Sequence, residues 1–168
     1  NKLSIEAWIY LRDEGFSNQA IYASGSTEIL FYRSINNFIR LYINGGNPSQ
    51  YAGPTCTVSP NEWIHAVAIY DDGKFSMYIN GSTSSPGYFE QDPTAGAHPG
   101  GNINSSSTIA TIGKYSSAAY FGGVIDDVKV YNAVLTPSQV KNNYNATKSK
   151  HKNSSVPSWS DDFDSNFG

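Results

Sequence analysis

Residues 62–81 read EWIHAVAIYDDGKFSMYING, and this stretch decides the fold. From Trp63 onward Trp63, His65, Val67 and Ile69 alternate with Ile64, Ala66, Ala68 and Tyr70. A period of two belongs to a strand, whose successive side chains point to opposite faces. Asp71-Asp72-Gly73 then turns the chain, because Gly accepts the positive φ of a tight hairpin. The return strand, residues 74–80, alternates Phe75, Met77 and Ile79 with Ser76 and Tyr78. Asn80-Gly81 is a second turn signal.

Working outward, the same pattern recurs. Residues 4–11 (SIEAWIYL) place Ala7, Ile9 and Leu11 on one face and Trp8 and Tyr10 on the other. A polar loop, 12–18, leads to a strand at 19–23. Residues 28–35 and 37–44 predict a hairpin around Asn36-Asn37, since Asn tolerates the left-handed conformation. Strand patterns return at 108–112 and at 121–131 (FGGVIDDVKVY). Between them, residues 82–107 are rich in Gly, Pro, Ser, Thr and Asn, around the aromatic island Gly87-Tyr88-Phe89. Loops longer than about 12–15 residues are uncommon in compact domains and often functional.

One helix is predicted. Thr136 is a good N-cap, Pro137 fits the first helical position, and Gln139 completes capping-box spacing. The helix is expected to reach about Tyr144, with Val140 and Tyr144 on one stripe. Residues 147–160 are polar and lack periodicity. Many strands and one short C-terminal helix predict an all-β protein, a two-sheet antiparallel β-sandwich. The expected domain covers residues 1–147, with 148–168 a polar tail that serves as linker, start of another module or filler strand.

Composition narrows the function classes. Charged residues make up 15% of the 168, below the usual quarter, while there are 12 Tyr. The net charge is −3, and the densest basic run is only Lys148, Lys150, His151 and Lys152, so no nucleic-acid partner is expected. No apolar run approaches the ~20 residues of a membrane span, so no membrane insertion is expected. The chain begins with Asn1 and shows no signal peptide, as a processed or excised segment of a larger parent would. A single cysteine, Cys56, can form neither an internal disulfide nor a Cys-based metal site, and it reads as a packed thiol.

The ordered motifs resemble those of a known family. Residues 4–9 (SIEAWI), 62–68 (EWIHAVA), 74–81 (KFSMYING), Ile112-Gly113, 121–131 (FGGVIDDVKVY) and 134–140 (VLTPSQV) occur together in one order. Each resembles a signature of laminin G-like domains in the concanavalin A-like lectin/glucanase superfamily, pentraxin-like variants included. The resemblance implies a concanavalin A-like jelly roll. It also implies an earlier strand before residues 4–9, expected either ahead of residue 1 in a longer parent or replaced by the tail around Phe163. The family includes glycan-binding, adhesion, pentraxin-like and structural modules, many of them calcium-dependent, so it implies a ligand class less firmly than a fold.

Glucanases that share this sandwich carry Glu-x-Asp-x-x-Glu on one strand face. Here the only acidic strand holds Asp126 next to Asp127, which regular alternation sends to opposite faces. Glu6, Glu28, Glu62 and Glu90 are isolated in sequence. A glycosidase dyad, with carboxyls ~5–5.5 Å apart, is therefore not expected, and the protein reads as no enzyme. Asp126 shares a face with Val124, Val128 and Val130, which reads as the core side. It is expected to satisfy His65, in a structural role alongside Trp8 and Trp63; an acid–base couple is the functional alternative.

Calcium is the expected cofactor, with Asp71, Asp72, Asp92 and Asp127 as candidate ligands, although Asp71-Asp72-Gly73 also reads simply as a turn. Histidines 65, 98 and 151 show no zinc spacing in sequence. Sugar binding needs exposed rings beside planar polar groups. Candidates are Tyr51, Tyr88, Phe89, Tyr115 and Tyr120, with Asn47, Gln50, Gln91 and Asn102, against the plain reading that Tyr suits strand edges. Asn104, Asn145 and Asn153 are candidate N-glycosylation sites, while Asn80 is assigned to its turn.

The resulting expectation is a non-catalytic extracellular, cell-surface or virion-surface module. It recognises glycan or glycoprotein through loops 46–56 and 82–107. The competing expectation is a structural, decoration or spacer domain packed against other domains of its parent or assembly; a glycoside hydrolase comes third.

Overall fold

The computed structural model describes residues 1–12, 18–24, 29–34, 37–44, 50–52, 56–83, 88–91, 103, 109–114 and 120–152. In chain order the strands are β1 (Lys2–Leu11), β2 (Gln19–Ser24), β3 (Ile29–Ser34), β4 (Phe38–Asn44), β5 (Gln50–Ala52), β6 (Cys56–Thr57) and β7 (Trp63–Asp71). Then come β8 (Lys74–Ile79), β9 (Tyr88–Gln91), β10 (Ala110–Ile112), β11 (Gly123–Tyr131) and helix α1 (Pro137–Lys152). One sheet has the order β11-β1-β7-β8-β9; the other runs β10-β2-β3-β4-β5, with β6 also on β4. All pairings are antiparallel. This is the expected concanavalin A-like β-sandwich.

The two inner faces make the core. Leu3, Ile5, Ala7, Ile9 and Leu11 of β1 and Ile64, Ala66, Ala68 and Tyr70 of β7 meet Ile21, Phe31, Ile39, Leu41 and Ile43 of the other sheet. Cys56 is buried among them, and burial pushes its thiol up to about 11, which suits packing rather than nucleophilic chemistry. The β7–β8 hairpin turns at Asp72 (φ 46°) and Gly73 (φ 106°), both left-handed as its Asp-Gly sequence requires. Asn37 (φ 59°) takes the same conformation before β4. Asn80 (φ 54°) serves its turn, and its Oδ1 accepts the His65 amide at 3.0 Å.

Both series of β7 are buried because α1 covers the outer face of the five-stranded sheet. Val67, Ile69 and Tyr78 pack there with Leu135 and Val140. The helix opens on the expected capping box: Gln139 Oε1 accepts the Thr136 amide at 2.8 Å, and Thr136 Oγ1 accepts the Gln139 amide at 3.3 Å. It does not end near Tyr144 but continues through Lys152, so residues 148–152 are helical rather than linker. The remaining tail, with Phe163, lies outside the described residues.

A bulge corrects the reading of β11. Glu6 pairs with Lys129, but Trp8 pairs with Asp126, so two steps on β1 span three on β11. Asp127 absorbs the extra residue at φ 49°, a conformation costing a non-Gly residue roughly 1 kcal/mol. Regular alternation is broken there. Ile125 and Val128 both pack on the core, and Asp126 turns to the outer face instead of the expected core side.

Candidate functional site

The outer face of the five-stranded sheet carries two polar clusters along α1. In the first, Glu6 is 1% exposed. Lys129 Nζ donates to its Oε1 at 2.8 Å and Asn143 Nδ2 to its Oε2 at 2.7 Å. His65 Nε2 lies 3.4 Å from the same Oε1. Burial works to raise the Glu6 pKa, yet His65, Lys129 and Asn143 outweigh it and hold the carboxyl at about 2, against an ordinary 4.5. His65 therefore pairs with Glu6 and not with Asp126, correcting the expected couple. Trp8 stands between them in register, opposite His65 on one side and Asp126 on the other.

The second cluster sits where α1 ends. The bulge brings Asp126 and Asp127 to the same neighbours, contrary to the expectation that they diverge. His151 Nε2 lies 3.1 Å from Asp126 Oδ2 and 3.7 Å from Asp127 Oδ2. Lys150 Nζ lies 2.9 Å from Asp126 and 3.4 Å from Asp127. One ligand atom from each of Asp126, Asp127 and His151 falls within 4.8 Å of the others. The Lys150 ammonium is the chief cause of a lowered Asp126 pKa; partial burial opposes it, and the Asp127 amide and His151 reinforce it.

Trp8 links the clusters. Its Nε1 donates to Thr147 Oγ1 at 2.8 Å, and its ring stacks on His151 at 4.2 Å and on Tyr144 at 5.7 Å. Asn143, Thr147, Lys150 and His151 were not anticipated from sequence. Their signal was present, because Val140, Tyr144, Thr147 and His151 continue one helical stripe. A search for apolar periodicity loses it after Tyr144, since Thr147 and His151 are polar.

Strand directions divide the predicted ligand residues between the two ends of the sandwich. The end where β1 begins is the basal end and the opposite one the apical end. Arg12 N–H donates to the Gly122 carbonyl at 3.1 Å and Gly122 N–H to Gln19 Oε1 at 3.1 Å, so β2 starts apically. From the pairings, β4 ends basally at Asn44, β5 begins there at Gln50, β9 ends there at Gln91 and β10 begins there opposite Ser24. The chain thus leaves and re-enters the basal end on both sides of Asn47 and of Asn102. Asp71 and Asp72 are basal as well, and Asp71 pairs with Lys2 at 2.8 Å.

Tyr88 begins β9 apically, opposite Tyr78. Tyr88, Phe89 and Gln91 belong to an edge strand and not to a loop, and Phe89 takes the register of the core residue Met77. Tyr51 lies opposite Ile43. Tyr120 is apical, bridged to Lys114, 56% exposed, with the Lys114 ammonium 5.3 Å from its ring centre. Asn145 is exposed on α1, where its Oδ1 accepts from Lys148. Asn47, Asp92, Asn102, Asn104, Tyr115 and Asn153 lie outside the described residues. Among the described residues no helix is long and apolar enough to cross a membrane.

Solved structures with this fold come from varied proteins. Domain 4 of an extracellular arabinanase from Geobacillus stearothermophilus, in complex with arabinotriose, gives a TM-score of 0.61 at 21% identity, covering 84% of this chain and 66% of that one. A heptameric pentraxin from Limulus polyphemus gives 0.60 at 18% identity, with 83% and 68% coverage. The botulinum neurotoxin serotype G binding domain gives 0.67 at 18%, and this chain spans only 37% of its length. No curated protein sequence matches the chain significantly. The sequence profile of the laminin G type does match residues 1–141, and the chain therefore belongs to the concanavalin A-like lectin/glucanases superfamily.

Proposed function

We propose that this protein is a non-catalytic recognition module that binds carbohydrate or glycoprotein at the basal end of its sandwich. The observation carrying this reading is the convergence there of the ends of β4, β5, β9 and β10. The segments with Asn47 and Asn102 start and finish at that end, next to Gln50 and Gln91. The outer face of the five-stranded sheet is by contrast occupied by α1. The family and the arabinotriose-bound relative support a sugar as ligand. Calcium dependence belongs to the same proposal, with Asp71 and Asp72 at this end and Asp92 next after Gln91 in sequence. An extracellular or surface location follows from such a role.

A hydrolase is disfavoured by the chemistry of Asp126 and Asp127, the carboxylates brought together among the described residues. A glycosidase acid needs a raised pKa, whereas that of Asp126 is lowered and Lys150 bridges both carboxylates. A structural role in an assembly is the second reading. The observation that favours it is the exposure of the large apolar side chains of Ile109 and Ile112 on and beside the edge strand β10.

A glycan array tests the proposal. Binding is expected, lost with a calcium chelator and on Gln91→Ala or Asn102→Ala, and kept on Tyr120→Ala at the other end. An array without binding, or loss confined to Tyr120→Ala, overturns it.

A further inference from the structure

We propose that Asp126, Asp127 and His151 form a binding site for a divalent transition-metal ion of the zinc type, closed by Lys150 when no metal is bound. The argument starts from the imidazole. His151 is 2% exposed, stacked on Trp8 at 4.2 Å and edge-on to Trp63 at 5.0 Å, so its ring cannot turn freely. Its Nδ1 lies 3.0 Å from the Thr147 carbonyl oxygen. A carbonyl has no proton to give, so Nδ1 carries the hydrogen. In a neutral ring Nε2 then presents a lone pair. That lone pair faces Asp126 Oδ2 at 3.1 Å and Asp127 Oδ2 at 3.7 Å, both also acceptors.

Three electron-pair donors facing one another require a positive charge between them. The Lys150 ammonium supplies it at the two carboxylates, a proton can supply it at the imidazole, and a metal can supply it to all three. Metal-bound histidines share this outer arrangement, with the second ring N–H held by a carbonyl or carboxylate. Bonds of about 2.0–2.1 Å in a tetrahedron place neighbouring donors roughly 3.3 Å apart. The two imidazole–carboxylate distances, 3.1 and 3.7 Å, bracket that spacing, and the three donor atoms all lie within 4.8 Å of one another. One imidazole and two carboxylates suit zinc-type ions, while calcium takes six to eight oxygens.

Lys150 completes the site. Its ammonium lies 2.9 Å from Asp126, and its side chain is 58% exposed, so it can withdraw into water when a metal enters. Asn143, Thr147, Lys150 and His151 all lie beyond the residues that match the family profile. The site is remote from the basal end, so its failure leaves the carbohydrate reading intact.

Calorimetric titration of the untagged protein with Zn²⁺ tests the site, with Co²⁺ quenching of tryptophan fluorescence as a second readout, since Trp8 touches His151. One ion per chain is expected. Asp126→Asn and Asp127→Asn, checked for native circular dichroism, should each weaken binding at least about tenfold. Lys150→Met should strengthen it, because a competing cation is gone. Absence of binding overturns the proposal. So does binding unchanged by both Asp substitutions, which marks an adventitious ion only, or a preference for Ca²⁺ over Zn²⁺.

Discussion

Glu6 and Asp126 lie on the same outer face of one sheet, beside the same helix, yet they are built for different purposes. Glu6 is sealed at 1% exposure, where Lys129 of β11 and Asn143 of α1 donate to it and His65 of β7 lies 3.4 Å away. Asp126 is 41% exposed, shares its neighbours with a second carboxylate, and is capped by a lysine that can leave. A sealed, saturated carboxylate fastens elements together. An open cluster of charges contributes little to stability and stays available to a ligand.

The largest effect should separate the two carboxylates. Glu6→Ala strands Lys129, His65 and Asn143 and should cost about 3–5 kcal/mol in chemical denaturation, as removal of one partner from a buried charged cluster does. A loss near that from Asp126→Asn would break the contrast.

Acid should act through Glu6 with nearly the same magnitude. Its folded pKa of about 2 lies below the ordinary 4.5, so its contribution is full above pH 4.5 and is lost as pH falls toward 2. The size is about 3 kcal/mol. Denaturation midpoints across that window should fall in the wild type, and Glu6→Gln should flatten the part due to this group.

Thr136→Ala removes the cap that starts α1 and should cost about 1 kcal/mol, seen as a lower thermal midpoint. The smallest effect is expected from Asp126→Asn without metal, under about 1 kcal/mol and reduced further by salt. Measured together, these variants show whether α1 is held from its middle, through Glu6, or from its end.

Much of the fold was legible because its signals are local. The β7–β8 hairpin, its Asp-Gly turn and the Thr136 capping box each lie within a few residues, where alternation and turn chemistry determine the outcome. The second cluster was not legible for two physical reasons. One residue of bulge at Asp127 reverses the faces that alternation assigns, and nothing in VIDDV announces it. The partners on α1 lie on a stripe made of Asn, Thr and His as well as Val and Tyr, which hydrophobic periodicity does not register. The candidate ligand residues were chosen by chemistry alone. Only strand direction shows that Gln50 and Gln91 share an end while Tyr88 and Tyr120 sit at the other.

Backbone amide chemical shifts, followed by NMR while a glycan identified on the array is added, probe the assignment of binding to the basal end most directly. The account predicts changes concentrated at Asn44, Gln50, Gln91 and Ala110 and the chain next to them. Changes concentrated instead on Tyr144, Thr147 and Lys150 of α1 would contradict it.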